Sequence, residues 1–318
     1  MNLPESKHFE LKSLAPGIFA ALGVPAGAAF SNAGIIDLGG QTLVFDTFMT
    51  PTAAQDLRAA AEQLTGQPVS CVINSHMHSD HWCGNQVFDL RTHILATHKT
   101  REMMPASVAD LKEAKANPSK LVEDISKDQQ RLESVTDARL RMGLEIAVAR
   151  QSYVLASLPT LEFRLPDQTF DGELVFHGSR RTAVLRALGK GHTASDAALA
   201  LPEDGILFMG DLGFFKTQPY MADCDPHAWA ALLNSLEAMG LPVFVPGHGP
   251  VGDQSDVTLL KGYITALQEL VTQAVGEGKT LEETLQLRLP EPFAAWQAKA
   301  AQRFDRNVRA LYQRLTEK

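Results

Sequence analysis

The sequence predicts an α/β protein, and three observations carry that expectation. Short apolar runs at residues 69–75, 181–188, 205–209 and 243–245 read as strands, and each leads through serine, glycine or proline to a side chain of metal-ligand type. Elsewhere the apolar residues recur at helical spacing. The chain has 318 residues, 45% of them hydrophobic, which suffices for one large core. We therefore expect a single domain over residues 1–318.

The elements follow in order. Leu57, Ala60, Ala61 and Leu64 form a helical stripe that Gly66 ends, just before the strand at Val69. Between Lys99 and Pro159 strand patterning gives way to a charge-rich stretch with helical spacing, through Leu121, Ile125 and Leu132 and then Leu140, Leu144 and Val148. Asn117-Pro118-Ser119 divides this insertion, about residues 100–160, into a short and a long helical part. It serves either to cover one side of the core or make a homodimer contact, or to roof the site and select substrates. Asp225 caps a helix with Pro226 in its first position and Trp229, Leu232, Leu233 and Leu236 on one face. A further helix from about Asp256 uses Leu260, Ile264, Leu267 and Val271. After Pro290 and Pro292, the residues Trp296, Ala300, Phe304, Val308 and Leu315 mark a helical extension, about residues 276–318, placed to pack on the insertion.

Chemistry concentrates in the run His76-Met77-His78-Ser79-Asp80-His81, with three imidazoles and a carboxylate in six positions. Such a set suits a divalent transition metal. If the segment is extended, His76 and His78 leave the same face and converge on one ion. A turn beginning at Asp80 would instead swing Asp80 and His81 toward a second ion. The bland alternative is a polar turn whose histidines cap a helix or lie solvated. Three more strand ends argue against it: Gly191-His192-Thr193, Gly210-Asp211, and Pro246-Gly247-His248-Gly249. Ligands at strand ends sit on a rigid scaffold and leave room for a substrate.

These motifs, jointly and in this order, resemble the metallo-β-lactamase superfamily of metallohydrolases, over about residues 15–275. The resemblance implies a four-layer αββα sandwich of two similar halves, with the metal site along one edge between the sheets. It implies that His76, His78 and His192 bind one divalent ion, that Asp80, His81 and His248 bind another, and that Asp211 bridges them. Zinc is the expected ion, and mixed His and Asp ligation also accommodates iron or manganese. Asp80 and Asp211 are the expected catalytic carboxylates. Two bridged ions would share a water whose pKa falls toward neutrality, giving hydroxide without a protein base, and Asp80 would orient it and pass a proton to the leaving group.

The implied function is a dinuclear hydrolase acting on a small carbonyl ester, lactone, thioester or lactam, although the fold does not choose among these bonds. In the zinc β-lactamases the position matching Asp211 is typically cysteine or serine. An aspartate there is closer to the glyoxalase II, lactonase and phosphodiesterase branches, which makes β-lactam cleavage secondary. The alternatives are an RNA-processing nuclease with the same ligand set, a mononuclear-iron persulfide dioxygenase, and a non-enzymatic protein stapled by metal.

Charge and composition narrow these. The formal net charge is -8 and no block of Lys and Arg appears, which disfavours a nucleic-acid partner and favours a small molecule. No run suits a membrane span and the start lacks a basic, apolar signal, so we expect a cytoplasmic protein with no membrane partner. Cys71, Cys83 and Cys224 are odd in number and scattered, which gives no disulfide framework. Cys83 lies near the histidine run, where the His and Asp set leaves it no vacancy. His8, His93, His98, His177 and His227 are expected at the surface or hydrogen-bonded. Thr193 and Ser195 lack a histidine base outside the ligand set, so they should serve in outer hydrogen bonds. Phe214, Phe215 and Tyr220 follow Asp211 closely and are candidates to line a substrate pocket, against the simpler role of core.

Overall fold

The computed structural model describes residues 3–299 and 301–317. The chain opens with β1 (Phe9–Ala15), β2 (Ile18–Gly23), β3 (Ala33–Asp37) and β4 (Thr42–Phe45), followed by α1 (Pro51–Thr65), β5 (Val69–Ile73) and β6 (His93–Thr97). Helices α2 (His98–Ala116), α3 (Ser119–Ser134) and α4 (Ala138–Ser157) intervene before β7 (Gln168–Phe170). The second half holds β8 (Glu173–His177), β9 (Thr182–Gly189), β10 (Asp196–Leu201), β11 (Ile206–Phe208), α5 (Pro226–Glu237) and β12 (Val243–Val245). Helices α6 (Gln254–Gly276), α7 (Leu281–Leu285), α8 (Phe293–Lys299) and α9 (Ala301–Thr316) complete it.

Strands β1 to β7 form one sheet in chain order, and β12-β11-β10-β9-β8 form the other. Pairing is antiparallel from β1 to β4 and parallel from β4 to β7. In the second sheet only β11 and β12 are parallel. Period-2 alternation sorts the buried residues between two cores. Ile18, Ile36, Phe45 and Ile73 face Leu185, Leu199 and Phe208 across the space between the sheets. Their neighbours Phe19, Ile35, Val44 and Val72 face outward beneath Leu57, Ala60 and Ala61 of α1. On the far side, Leu207 packs with Trp229 and Leu233 of α5, Leu260, Ile264 and Leu267 of α6, and Phe304 and Val308 of α9. Helices, sheet, sheet and helices therefore stack as a four-layer αββα sandwich, as expected.

The helix limits follow their caps. Thr50 accepts from the Ala53 N–H ahead of Pro51, and Gly66 ends α1 at φ 72. Asp225 accepts from the Ala228 N–H, with Pro226 next. Helix α6 starts at Gln254 because Asp253 is its cap; Asp256 closes the capping box instead of opening the helix.

The insertion and the extension depart from expectation. The insertion has three helices, not a short and a long part. Beside the break at Asn117, a second falls where Val135 is extended and Asp137 caps the N–H groups of Arg139 and Leu140. Helix α2 packs Met104, Val108 and Leu111 against Trp82, Cys83, Leu158 and Leu161. Among the described residues the extension packs chiefly on α6 and not on the insertion: Trp296 stacks on Tyr263 at 5.3 Å, and Phe304 and Val308 join the outer core of the second sheet. Apolar area decides this, since α6 offers a continuous apolar face whereas α3 buries only Ile125 among its described residues. Ala300 lies outside the described residues, and no helix among them is long and apolar enough to cross a membrane.

Gly34 on β3 is a sensitive point of the inter-sheet packing, because a Cβ there would lie 2.5 Å from Cε1 of the buried Phe208 ring. Gly34→Ala should destabilise the protein by about 1–3 kcal/mol through overpacking. In a Phe208→Leu background it should cost less than in the wild type; urea unfolding of the four proteins of the cycle reads this coupling, and strict additivity would refute it.

Candidate metal centre

The first group of donors emerges where two parallel strands end together. Phe45 of β4 pairs with Ile73 of β5, so Asp46 and Asn74-Ser75-His76 leave the sheet side by side. Residues Ser79–His81 then make one turn of 3-10 helix, so the chain does not stay extended through Asp80. The turn separates the run as the second sequence alternative requires. His76 and His78 face one way, and Asp80 and His81 face another.

The other sheet repeats the device. Phe208 of β11 pairs with Val245 of β12, so Asp211 and His248 arise from adjacent strand ends. Two glycines make this approach feasible. Gly210 has φ 52, and a Cβ on Gly247 would meet Asp211 Oδ1 at 2.0 Å. His192 comes from the loop after β9, whose Gly191 N–H donates to Thr193 O at 2.9 Å.

The seven residues meet in two adjoining groups. One donor atom each from His76, His78, His192 and Asp211 lie within 4.8 Å of one another, and the same holds for Asp80, His81 and His248. Asp211 reaches both. Its Oδ2 is 3.3 Å from His192 Nε2 and 3.7 Å from His76 Nε2, while its Oδ1 is 3.0 Å from His81 Nε2 and 3.3 Å from His248 Nε2. Asp80 Oδ2 stands 3.4 Å from His248 Nε2 and 3.7 Å from His81 Nε2.

Hydrogen bonds behind the imidazoles assign their tautomers. Asp46 accepts from the Ser75 N–H at 2.7 Å and from Ser75 Oγ at 2.8 Å. With its proton committed to Asp46, Ser75 Oγ accepts from His76 Nδ1 at 2.9 Å, which leaves a lone pair on His76 Nε2. His81 Nδ1 donates to Asp46 Oδ2 at 2.7 Å, which leaves Nε2 of His81 facing the centre. His78 is reversed: Nε2 donates to Asp223 Oδ2 at 2.9 Å, and Nδ1 lies 3.1 Å from both His76 Nε2 and His192 Nε2. His248 is held by stacking on Phe214, with centroids 4.8 Å apart and planes 18° from parallel.

These imidazole nitrogens converge on the carboxylate oxygens of Asp80 and Asp211. His81 Nε2 and Asp211 Oδ1 are buried and have no hydrogen-bond partner among the described residues. Such an arrangement is costly for groups that must bond each other and natural for groups that bind a cation. Electrostatics agree. Burial opposes charge on Asp211, but His248, His81 and His76 outweigh it and hold the carboxyl well below its ordinary range. Burial likewise opposes charge on His81, yet Asp211, Asp46 and Asp80 hold it well above the usual histidine value. His76 is held well below that value by burial and by His81. The carboxylates thus draw positive charge toward His81, a role a divalent ion fills better. Imidazole nitrogens with carboxylate oxygens fit zinc, iron or manganese.

Asp46 and Asp223 were not found from the sequence. Asp46 carried a usable signal, because it ends the apolar run Thr42–Phe45 as the ligands end theirs. Asp223 sits in an irregular loop and carried none. Cys83 is buried under α2 and belongs to neither donor group, and burial pushes its thiol well up. Thr193 Oγ1 donates to Asp196 Oδ1, and Ser195 Oγ pairs with Thr97 Oγ1 at 2.6 Å, so both are spent on structure. Phe215 is core, Phe214 supports His248, and half-buried Tyr220 lies edge-on to His78 at 5.5 Å. Of the remaining histidines, His8 is buried and accepts from the Ala28 N–H, while His93, His98, His177 and His227 are exposed.

The layered fold and a donor cluster at one edge define an αββα sandwich with a candidate metal centre. Residues 26–248 match the family model of the metallo-beta-lactamase superfamily, and the chain belongs to that superfamily. Among solved structures, a metallo-beta-lactamase from Pontibacter korlensis superposes with a TM-score of 0.57 at 18% identity, covering 81% of this chain and 99% of that one. The metallo-beta-lactamase FIM-1 from Pseudomonas aeruginosa, in its mono-zinc form, gives 0.56 at 16% identity, covering 83% and 98%. At such identities the likeness is one of fold. The matched segment ends at His248, so α6 to α9 lie beyond it.

Asp46 fixes His81 directly and His76 through Ser75, without itself joining either donor group. Asp46→Ala should therefore lower divalent-metal affinity by about 10- to 100-fold, read by competition with a chromogenic chelator. Unchanged affinity for zinc and manganese would show that Asp46 has no orienting role.

Proposed function

We propose that the protein is a metal-dependent hydrolase with two divalent ions, most simply zinc, that cleaves a small carbonyl ester, lactone, thioester or lactam. The observation that carries this is Asp211, whose two carboxylate oxygens are divided between the two donor groups. A carboxylate so divided suits a pair of neighbouring cations rather than one. His76, His78 and His192 would hold the first ion, Asp80, His81 and His248 the second, and Asp211 both.

When bound, the ions supply Lewis acidity and bring the pKa of water toward neutrality. The chain supplies the rest. Asp80, 23% exposed at its side chain, is the carboxylate of the centre that reaches solvent, and burial is outweighed there by His81 and His248, which lower its pKa. It is placed to accept a proton at Oδ2 and return it to a leaving group. The hydrogen bonds to Asp46 and Asp223 keep the imidazoles aimed while charge changes at the centre. His78, Asp80 and His248 are partly exposed, which leaves the centre within reach of a small substrate. With aspartate at position 211, β-lactams stand as secondary substrates behind esters, lactones and thioesters.

Initial rates on a lactone, a thioester, an ester, a β-lactam, a phosphodiester and an RNA hairpin test this, with metal-loaded and chelator-stripped protein side by side. A chelator-sensitive signal on a carbonyl substrate is expected. Asp211→Ala and His76→Ala should each cost about a hundredfold or more, since losing a ligand must exceed the loss of its outer partner. Turnover that survives complete metal removal would defeat the proposal.

A further inference from the structure

Two arginines from segments outside the sandwich border the centre, one beside each donor group. Arg150, on α4, donates from Nε to Pro25 O at 2.9 Å and from Nη2 to Phe30 O at 3.5 Å, with its guanidinium 4.9 Å from the Phe30 ring centroid. The next residue, Ser31, donates to the Asp80 carbonyl at 2.5 Å, so Arg150 borders the Asp80, His81 and His248 group. Arg303, on α9, lies over Tyr220 at 5.4 Å. Tyr220 in turn sits 5.5 Å from His78 and 6.4 Å from His192. Arg303 thus borders the other group.

Neither guanidinium has a carboxylate within ion-pair distance among the described residues, and Arg303 makes no hydrogen bond there. Both are half-buried. Burial lowers the pKa of each against the pull of Asp80; Arg306 lowers Arg303 further while Asp211 raises it, and Arg303 in turn lowers Arg150. Holding two like charges partly out of water, with no carboxylate paired directly to either, is unfavourable unless an anion is to be met. Asp80 and Asp211 do not serve as that anion, because their charge is committed to the histidine centre. Tyr220 and Phe30 supply flat apolar walls that hold the guanidinium planes.

We infer that Arg150 and Arg303 form a recognition site for an anionic group of the carboxylate class, carried by the substrate away from its scissile bond. The inference rests on the hydrolase reading above and narrows it to acyl substrates bearing a negative charge. It also gives the helical insertion and the C-terminal extension one shared task, since each contributes one arginine beside the centre. A single small anion suits the site, whereas a polyanion would meet the chain's net charge of -8.

The test is calorimetric binding of succinate, against its neutral analogue succinamide, to zinc-loaded protein. Wild type should prefer succinate, and Arg150→Gln and Arg303→Gln should each weaken succinate by about tenfold while affecting succinamide less. Variants with normal zinc content and thermal unfolding that bind succinate as tightly as wild type would overturn the inference. Should the variants not fold, phenylglyoxal labelling of wild type decides: succinate, not succinamide, should protect Arg150 and Arg303, and absent protection overturns it. Loss of succinate preference with silence across the substrate panel would keep the anion site and remove the hydrolase reading. Ester turnover with succinate binding undiminished in the variants would do the reverse.

Discussion

Ser75 joins the two halves of the molecule. Its N–H and hydroxyl both bond Asp46 at the end of the neighbouring strand, its hydroxyl accepts from His76, and its carbonyl accepts from the Ala197 N–H of the opposite sheet at 2.9 Å. Gly210 presses against it so closely that a Cβ there would lie 2.5 Å from Ser75 Cβ. The sheets therefore touch at their strand ends, and the donor groups can face each other only because they do. Thr97 with Ser195, and Asn32 with Pro246 and Gly249, repeat the bond between halves on either side. Polar side chains do this joining where an apolar contact would not fix orientation.

The segments outside the sandwich support the same edge. Asn307 of α9 accepts from the Met221 N–H and donates to Pro219 O, and Arg314 donates to the carbonyls of Ala222 and Cys224. The loop between them carries Tyr220 and Asp223, so a helix beyond the matched family segment holds the partner of His78 in place. Helix α2 does the corresponding work opposite, burying Trp82, whose indole N–H donates to the Met77 carbonyl at 2.8 Å. The histidine run is thereby gripped from the side as well as from its strand.

Much of this was legible in the sequence because the signals were local. Ligand-bearing strand ends are marked by an apolar run, a turn residue and an imidazole or carboxylate, and all seven named residues meet at one place. Helix caps at Asp225 and Gly66 were legible for the same reason. What escaped lacked local contrast. Strands β2 to β4 are buried on both faces along most of their length, so they show no polar alternation to betray a strand. The break before α4 lacks glycine and proline, and the destination of the C-terminal helices depended on which apolar face was available. Asp223 and the two arginines beside the centre acquire meaning only through neighbours 70 or more residues away, as Asp223 does through His78 at a separation of 145.

That separation has a kinetic side. The bonds that finish the centre close loops of great length, 145 residues for His78 with Asp223 and 86 for Asn307 with Met221. Contacts so distant are expected to form late, after the sheets have paired and docked, because their chain entropy is repaid only by a body already largely assembled. On this expectation the centre is a product of folding and not its seed, unlike small domains that collapse around an ion. The donors themselves span residues 76 to 248, so the centre draws on both sheets and no short stretch of the chain can build it alone.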